Sequence, residues 1–408
     1  MKQETNSEGG AALPWTLIAW AGLGILLNVG VARFTYGVML PALKHDLALD
    51  YFGGGALNAI HLFGYLVGTL TGPALGRRLG MARLSRAAHV LIVLGALACA
   101  AAPASAEIGP LVLGLGRLAT GLGAGGGVLA IMVIALAAVA PERRSVASLL
   151  IWSWMGVAMI LSGLAAPWLV ESGPGWRVSF VVAAAIAAAV AIAYPPRRFR
   201  GLAVEAPEAG SARTAFRLAD LAGARWIYLI GVYFTFGLGY IAYSTFAGAR
   251  LAANSAPVAA VSATWIVFGI TTILGVGVTG AMLARPQWRR LAMAAAAFTG
   301  ALGTAISVGD SPAAALAGAM IVGLGIASTP AIMSAYARER SPAEHYARAF
   351  SFATAALGAG QLLGPLAAGA LADRYGTVAV PLFAAATYVV GTALALLDGR
   401  ANKSGAAS

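Results

Sequence analysis

A chain of 408 residues that is 60% hydrophobic and 10% charged is too apolar for a soluble domain, in which about 25% of residues are charged. Its net charge of +12 raises nucleic acid as a partner, but the basic residues sit in short stretches between long apolar runs, where they would face anionic lipid headgroups, so none is expected. The single cysteine, Cys99, leaves no disulfide framework, the histidines (His45, His61, His89, His345) have no metal-ligand spacing, and no G-x-x-x-x-G-K-[ST] loop is present; neither metal, cofactor nor direct use of ATP is expected.

The polar opening stretch 1–13 carries Lys2, and no small-residue cleavage site follows the next apolar run, so it reads as a cytoplasmic tail and not a signal peptide. A helix needs roughly 20 apolar residues to cross a bilayer. Twelve such runs follow, at 14–40, 55–76, 86–104, 110–139, 146–170, 177–194, 226–249, 257–283, 290–308, 312–335, 347–371 and 377–397. Span 1 carries Gly30, Arg33 and Tyr36 at intervals of three, which puts Tyr36 on the face of Arg33. Span 2 holds His61 and then Gly64, Gly68, Gly72 and Gly76, a small-residue stripe suited to close helix packing. Span 4 holds Arg117 and a Gly121-x-Gly123-x-x-Gly126 pattern, which has no weight as a dinucleotide fingerprint inside an apolar helix. Trp152 and Trp154 of span 5 read as interface-belt residues.

The loop 195–225 opens with Pro195-Pro196, is rich in arginine, and divides the chain into six-helix bundles at 14–194 and 226–397, with a second cytoplasmic tail at 398–408. Span 7 repeats the spacing of span 1 in Gly237, Tyr240 and Tyr243, making Tyr240 the repeat partner of Arg33; Gly323-Leu324-Gly325 in span 10 echoes Gly121-Leu122-Gly123. Trp265 in span 8, Ser328 and Thr329 in span 10 and Gln361 in span 11 add polar groups, although such Ser and Thr often bond back to their own helix. Gly360, Gly364 and Pro365 of span 11 combine close packing with a point where a helix can bend during alternating access. With twelve spans both termini share a side, and of the 27 Lys and Arg only Lys44, Arg177, Arg250 and Arg374 fall on the other side. The basic side is the cytoplasm.

Arg33 and Arg117 lie inside apolar spans, where an ionised group is expensive and usually functional. With His61 they reach a similar depth, roughly 10 Å below the outer boundary. Asp46, Asp50, Glu107, Glu171, Asp310 and Asp373 all fall at span ends or in loops, so no carboxylate is placed to pair with a cation or hold a proton. A guanidinium-lined cavity without carboxylates favours an organic anion. Arg33, Tyr36, Arg117, Tyr240, Tyr243 and Gln361 are the expected substrate-binding residues, and His61, Arg117 or the substrate's own carboxylate the candidates for proton coupling. Blander readings stand beside these: Arg33 reaching to the interface, Arg117 bonded to backbone carbonyls, His61 hydrogen-bonded in the interior. The competing functions are a proton-driven exporter of amphipathic, drug-like compounds and a membrane receptor or scaffold; no Asp pair, Ser–His dyad or metal cluster in the spans points to an enzyme.

The combination resembles the major facilitator superfamily. Arg117 with Gly121 and Gly123 resembles the fourth-helix motif, whose Arg is thought to assist proton or substrate coupling; Gly175-Trp176-Arg177-x-x-Phe180 resembles the start of the sixth helix; and Gly360, Gly364, Pro365 and Gly369 resemble the Gly-Pro motif, here in span 11 instead of span 5. Arg33-Phe34-x-Tyr36, Leu40-Pro41, Asn58, Gly64-Tyr65-Leu66 and Gly68 are similar to the YbfB/YjiJ branch of bacterial transporters, and the likeness covers about 14–397. It implies an all-α membrane protein of two pseudo-symmetric six-helix bundles. Such a protein is expected to act as a monomer in the bacterial inner membrane, with a small-molecule substrate, lipid and protons as its partners. One departure is clear: the loop after span 2, GPALGRRLGMAR, lacks the family's Asp, whereas Gly369-Ala-Leu-Ala-Asp373-Arg374-x-Gly376 appears after span 11, on the opposite side.

Overall fold

The computed structural model describes residues 13–140, 143–171, 175–193, 226–285, 288, 291–340 and 343–404. Among these residues there is no β-strand, and the helices follow the twelve apolar runs in order. The first run is one continuous rod, α1 (Trp15–Asp46). Its middle, Leu26–Thr35, is wound as a π-helix between α-helical flanks, Trp15–Ile25 and Tyr36–Asp46. The rest of the first half is α2 (Tyr51–Leu79), α3 (Met81–Ala100), α4 (Ile108–Ala137), α5 (Arg144–Glu171) and α6 (Gly175–Ile192). The second half is α7 (Trp226–Ala253), α8 (Val258–Ala284), α9 (Ala292–Ile306), α10 (Pro312–Ile326 and, past Ala327, Ser328–Arg340), α11 (Ala343–Tyr375) and α12 (Ala379–Ser404).

Local signals set several ends. Asp50 caps α2 by accepting the Gly53 N–H at 2.6 Å, and Ser311 caps α10 by accepting the Ala314 N–H at 3.1 Å, as short oxygen-bearing side chains do at helix starts. Gly80, at φ +82°, turns the chain between α2 and α3, a conformation other residues adopt only with strain. Among the described residues, ten helices are long and apolar enough to cross a membrane. The other two are α2, whose 29 residues include glycines, Asn58 and His61, and α9, whose 15 residues rise about 22 Å. Helices overrun the apolar runs: α2 and α11 each begin about a turn earlier and end about a turn later than 55–76 and 347–371. Helical hydrogen bonding thus continues beyond the apolar run at both ends of these helices. Residues 1–12 and 194–225, covering nearly all of the expected first tail and central loop, lie outside the described residues, while α12 runs to Ser404, beyond the expected bundle end at 397.

The helices pair by the same rule in both halves. α1 packs on α5, α2 on α4, and α3 on α4 and α6; six positions on, α7 packs on α11, α8 on α10, and α9 on α10 and α12. The halves meet through α1 against α7 and through two further pairs, α2 with α11 and α5 with α8, which exchange under the same shift. This is the pseudo-two-fold of two six-helix bundles. Within bundles the glycines allow backbone contact. A Cβ on Gly64 or Gly68 would strike the carbonyls of Leu118 and Leu122 on α4, one on Gly72 the Leu129 side chain, and ones on Gly360 and Gly364 the carbonyls of Phe234 and Leu238 on α7.

The seam between the halves is tightest at the face where α1 ends and α2 begins. The Tyr36–Asp46 part of α1 packs on α7, with Gly37 against the Ser244 carbonyl and Gly248 against that of Gly37; the Trp15–Ile25 part packs on α4, α5 and α6 of its own half. Gly55 of α2 lies against the Pro365 carbonyl, and Gly369 of α11 against Tyr51. The two carboxylate oxygens of Asp373, at the end of α11, accept the Tyr51 and Phe52 N–H groups at 2.8 Å each, capping α2 from the opposite bundle. At this face the Gly175-Trp176-Arg177 stretch ties α6 to α1: Trp176 Nε1 donates to Asp46 at 2.9 Å and Arg177 pairs with it at 3.5 Å.

Candidate functional site

Arg33 projects from the π-helical segment into the seam and is 5% exposed. π-Helical turns recur at functional positions because they re-aim side chains. Its Nη1 donates to the Tyr240 hydroxyl of α7 at 2.8 Å, and its guanidinium carbon lies 4.3 Å from the centre of the Tyr65 ring of α2. Gln361 of α11 donates Nε2 to the same Tyr240 oxygen at 2.7 Å, and Phe236 stacks on Tyr240 with ring centres 4.8 Å apart. α7 and α2 thus hold the guanidinium, with α11 behind Tyr240, yet Arg33 Nε and Nη2 are buried with no hydrogen-bond partner.

Arg117 is 1% exposed and differently placed. Nη2 donates to Asn58 Oδ1 at 2.6 Å, Nη1 to the Ala32 carbonyl at 2.7 Å, and Nε to the Leu57 carbonyl at 3.4 Å. Its plane rests on the Tyr36 ring, 4.3 Å from the ring centre, and the Tyr36 hydroxyl donates to the Gly54 carbonyl at 2.6 Å. Asn58 passes the network across the seam, donating Nδ2 to Thr245 Oγ1 on α7 at 2.7 Å.

His61 is fully buried beside this network. Its Nδ1 lies 3.2 Å from Thr120 Oγ1, and Thr120 gives its one proton to the Arg117 carbonyl at 2.9 Å. The tautomer that fits this donation carries its proton on Nδ1 and leaves Nε2, buried and without a partner, as the acceptor.

The substrate-binding residues read from the sequence thus separate into three places. Arg33, Tyr240 and Gln361 converge on one hydroxyl at the seam. Arg117 and Tyr36 belong to a network in the first bundle that reaches α7 through Asn58 and Thr245, with His61 joined to it through Thr120. Tyr243 turns into the second bundle, where its hydroxyl meets Ser307 Oγ at 3.0 Å and its ring lies edge-on to Phe268. Ser328 and Thr329 bond back to their own helix at Leu324 and Gly325, and Trp154 packs on Gly22 of α1. Trp265 is buried against Phe34 and Phe268 with Nε1 unpartnered.

The residue that sequence reasoning passed over is Asn28, on the π-segment. Both its amide atoms are buried without partners, and His89 approaches it across Gly127. Beside Asn28 lies a cavity bounded also by Thr35, Arg117, Thr120 and Ser179, with room for roughly two waters. An Asn in the middle of an apolar run was the available signal. Among the described residues no cluster of three or more His, Cys, Asp or Glu could hold a metal.

Two six-helix bundles meeting over a buried cationic seam have the architecture of a secondary transporter. A family model described as "Uncharacterised MFS-type transporter YbfB" matches residues 25–397, and the chain belongs to that family. It is a multi-pass membrane protein of the major facilitator superfamily. The crystal structure of a mutant form of the nucleoside transporter NupG is similar to it with a TM-score of 0.72 and 14% identity, covering 95% of this chain and 99% of that one. At that identity the likeness shows the fold. No curated protein matches the chain.

Proposed function

We propose that this secondary transporter moves a small organic anion across the bacterial inner membrane by alternating access, as a monomer with both termini in the cytoplasm. The charge asymmetry of the loops supports the orientation. The observation that carries the substrate class is the incomplete hydrogen bonding of Arg33, whose Nε and Nη2 are buried donors with nothing to donate to. Leaving such groups unmade is costly, and a carboxylate satisfies them. Tyr240 and Gln361, from the other bundle, complete the site, so that closing on the substrate draws the halves together. Arg117 acts by positioning: through Asn58, Ala32 and Leu57 it joins α4 to α1 and α2, and through its carbonyl it fixes the tautomer of His61 by way of Thr120. His61 Nε2 is the proposed proton acceptor for coupling.

The test is a thermal-shift screen of the purified full-length protein against small organic acids, sugars, amino acids, nucleosides and lipophilic cations. A ligand at 100 times its Kd stabilises by about 2.7 kcal/mol. Organic acids are expected to raise the Tm of the native protein and to raise that of Arg33→Ala far less. Stabilisation by lipophilic cations alone would instead identify an exporter of amphipathic compounds, bound by the Tyr65, Phe236 and Tyr240 rings.

A further inference from the structure

We infer that the ligand of the Arg33 site carries one carboxylate and a single negative charge, on an apolar body. This rests on the organic-anion reading and adds valence and geometry to it. A guanidinium has a side edge, made of Nε–H and the adjacent Nη2–H, which point the same way and match the two oxygens of one carboxylate. In Arg33 that edge is the unpartnered one, while Nη1, on the other side, is held by Tyr240. The Tyr65 ring fixes the plane from one face. The side chain is thus fastened everywhere except along the fork that takes a carboxylate.

The supply of free guanidinium donors limits the ligand further. The other buried guanidinium of the first bundle, Arg117, has each of its three nitrogens bonded to a protein oxygen. Arg250, the buried arginine of the second, is held by the Ser307 and Val308 carbonyls and by Asp310 at 3.0 Å. Asp46, Glu171, Glu339, Glu344 and Asp373 lie at or near helix ends, and Asp398 follows the apolar run of α12. The fork meets one carboxylate, whereas the second carboxylate of a dianion would find no free guanidinium donor and would be buried with its oxygens unsatisfied. The Tyr65 ring against the guanidinium and the Tyr240–Phe236 stack beside Nη1 offer apolar surface to the rest of the ligand.

The experiment measures binding of benzoate, octanoate, phthalate, succinate, benzamide and uridine to the purified full-length protein by thermal shift and calorimetry. Three forms are compared: native, Arg33→Lys and Arg33→Gln. Benzoate or octanoate should bind the native protein, with phthalate, succinate and benzamide weaker by about tenfold or more. Arg33→Lys keeps the charge and removes the fork, so it should weaken the monocarboxylate by about tenfold; Arg33→Gln gives the same loss if the lysine variant fails to fold. Phthalate or succinate binding as tightly as the monocarboxylates would overturn the single-charge inference and leave the anion reading intact. Benzamide or uridine binding as tightly as benzoate, or no binding by any acid, would overturn both. Equal benzoate affinity in native and Arg33→Lys protein would overturn the fork.

Discussion

The two buried arginines of the first bundle look alike from outside and are opposites in detail. Each lies with its guanidinium carbon 4.3 Å from the centre of a tyrosine ring, and neither is more than 5% exposed. Arg117 has every nitrogen engaged by protein oxygens, whereas Arg33 has one engaged and two idle. A guanidinium buried away from water must have its donors met. Arg117 meets that demand with the fold itself. Arg33 leaves it open along one edge, and that edge lies where the bundles meet. Burial alone does not distinguish the two; their hydrogen bonding does.

The sharpest way to break this contrast is Arg117→Ala. It would strip donors from Asn58 Oδ1 and from the Ala32 and Leu57 carbonyls and free the Asn58–Thr245 link, for a loss on the order of 3 kcal/mol. We expect a marked fall in Tm and in yield, with transport lost along with the fold. Arg33→Ala should do the reverse, leaving Tm within the range of about 1 kcal/mol typical of modest substitutions while weakening anion binding by about 2 kcal/mol, roughly 30-fold. If both variants lost the same stability and the same binding, the distinction between a structural and a ligand-seeking arginine would fall.

A smaller effect is expected at the seam. Asp373 accepts two N–H groups at the start of α2 from the opposite bundle, so it fastens the face at which the halves are tightest. Asp373→Ala removes both bonds, worth about 1 kcal/mol together at this exposed position, and should raise the population of molecules open at that face about fivefold. The native Cys99 is buried, so a thiol introduced as Ala368→Cys, in the apolar cluster beneath Asp373, would report on opening. Its labelling by a water-soluble maleimide should accelerate in the Asp373→Ala background. An unchanged rate would mean that the seam is held by its glycine contacts alone.

Much of this was legible in the sequence, and the illegible parts have a common cause. The order of the helices follows from apolar runs long enough to cross a bilayer, and the spacing shared by Arg33 and Tyr240 pointed to two residues that do touch. Spacing within one helix fixes only direction, however. Tyr36 and Tyr243 were grouped with Arg33 because each lies at an interval of three from an equivalent position, but their hydroxyls find Gly54 and Ser307 on other helices. Whether Arg117 was satisfied depended on carbonyls of Ala32 and Leu57, which no side-chain pattern reveals. The π-helical winding of Leu26–Thr35 was equally hidden, because it leaves the hydropathy of the run unchanged.

The smallest predicted effect separates water from substrate as the partner of unmet groups. Asn28 shares with Arg33 both the π-segment and the lack of partners, yet it faces the interior of the first bundle beside a cavity with room for about two waters. If waters satisfy Asn28, replacing it with an apolar side chain of similar volume removes both the need and the waters, so Asn28→Leu should shift stability by no more than about 1 kcal/mol and leave anion affinity unchanged. Asn28→Asp, which introduces a charge that water in so small a space cannot solvate, should destabilise by several times as much. The comparison between the two arginines sharpens if Asn28→Leu is silent in the binding assay where Arg33→Ala is not. A large loss of anion binding in Asn28→Leu would instead extend the site from the seam into the first bundle, along the face of α1 that its π-helical turns expose.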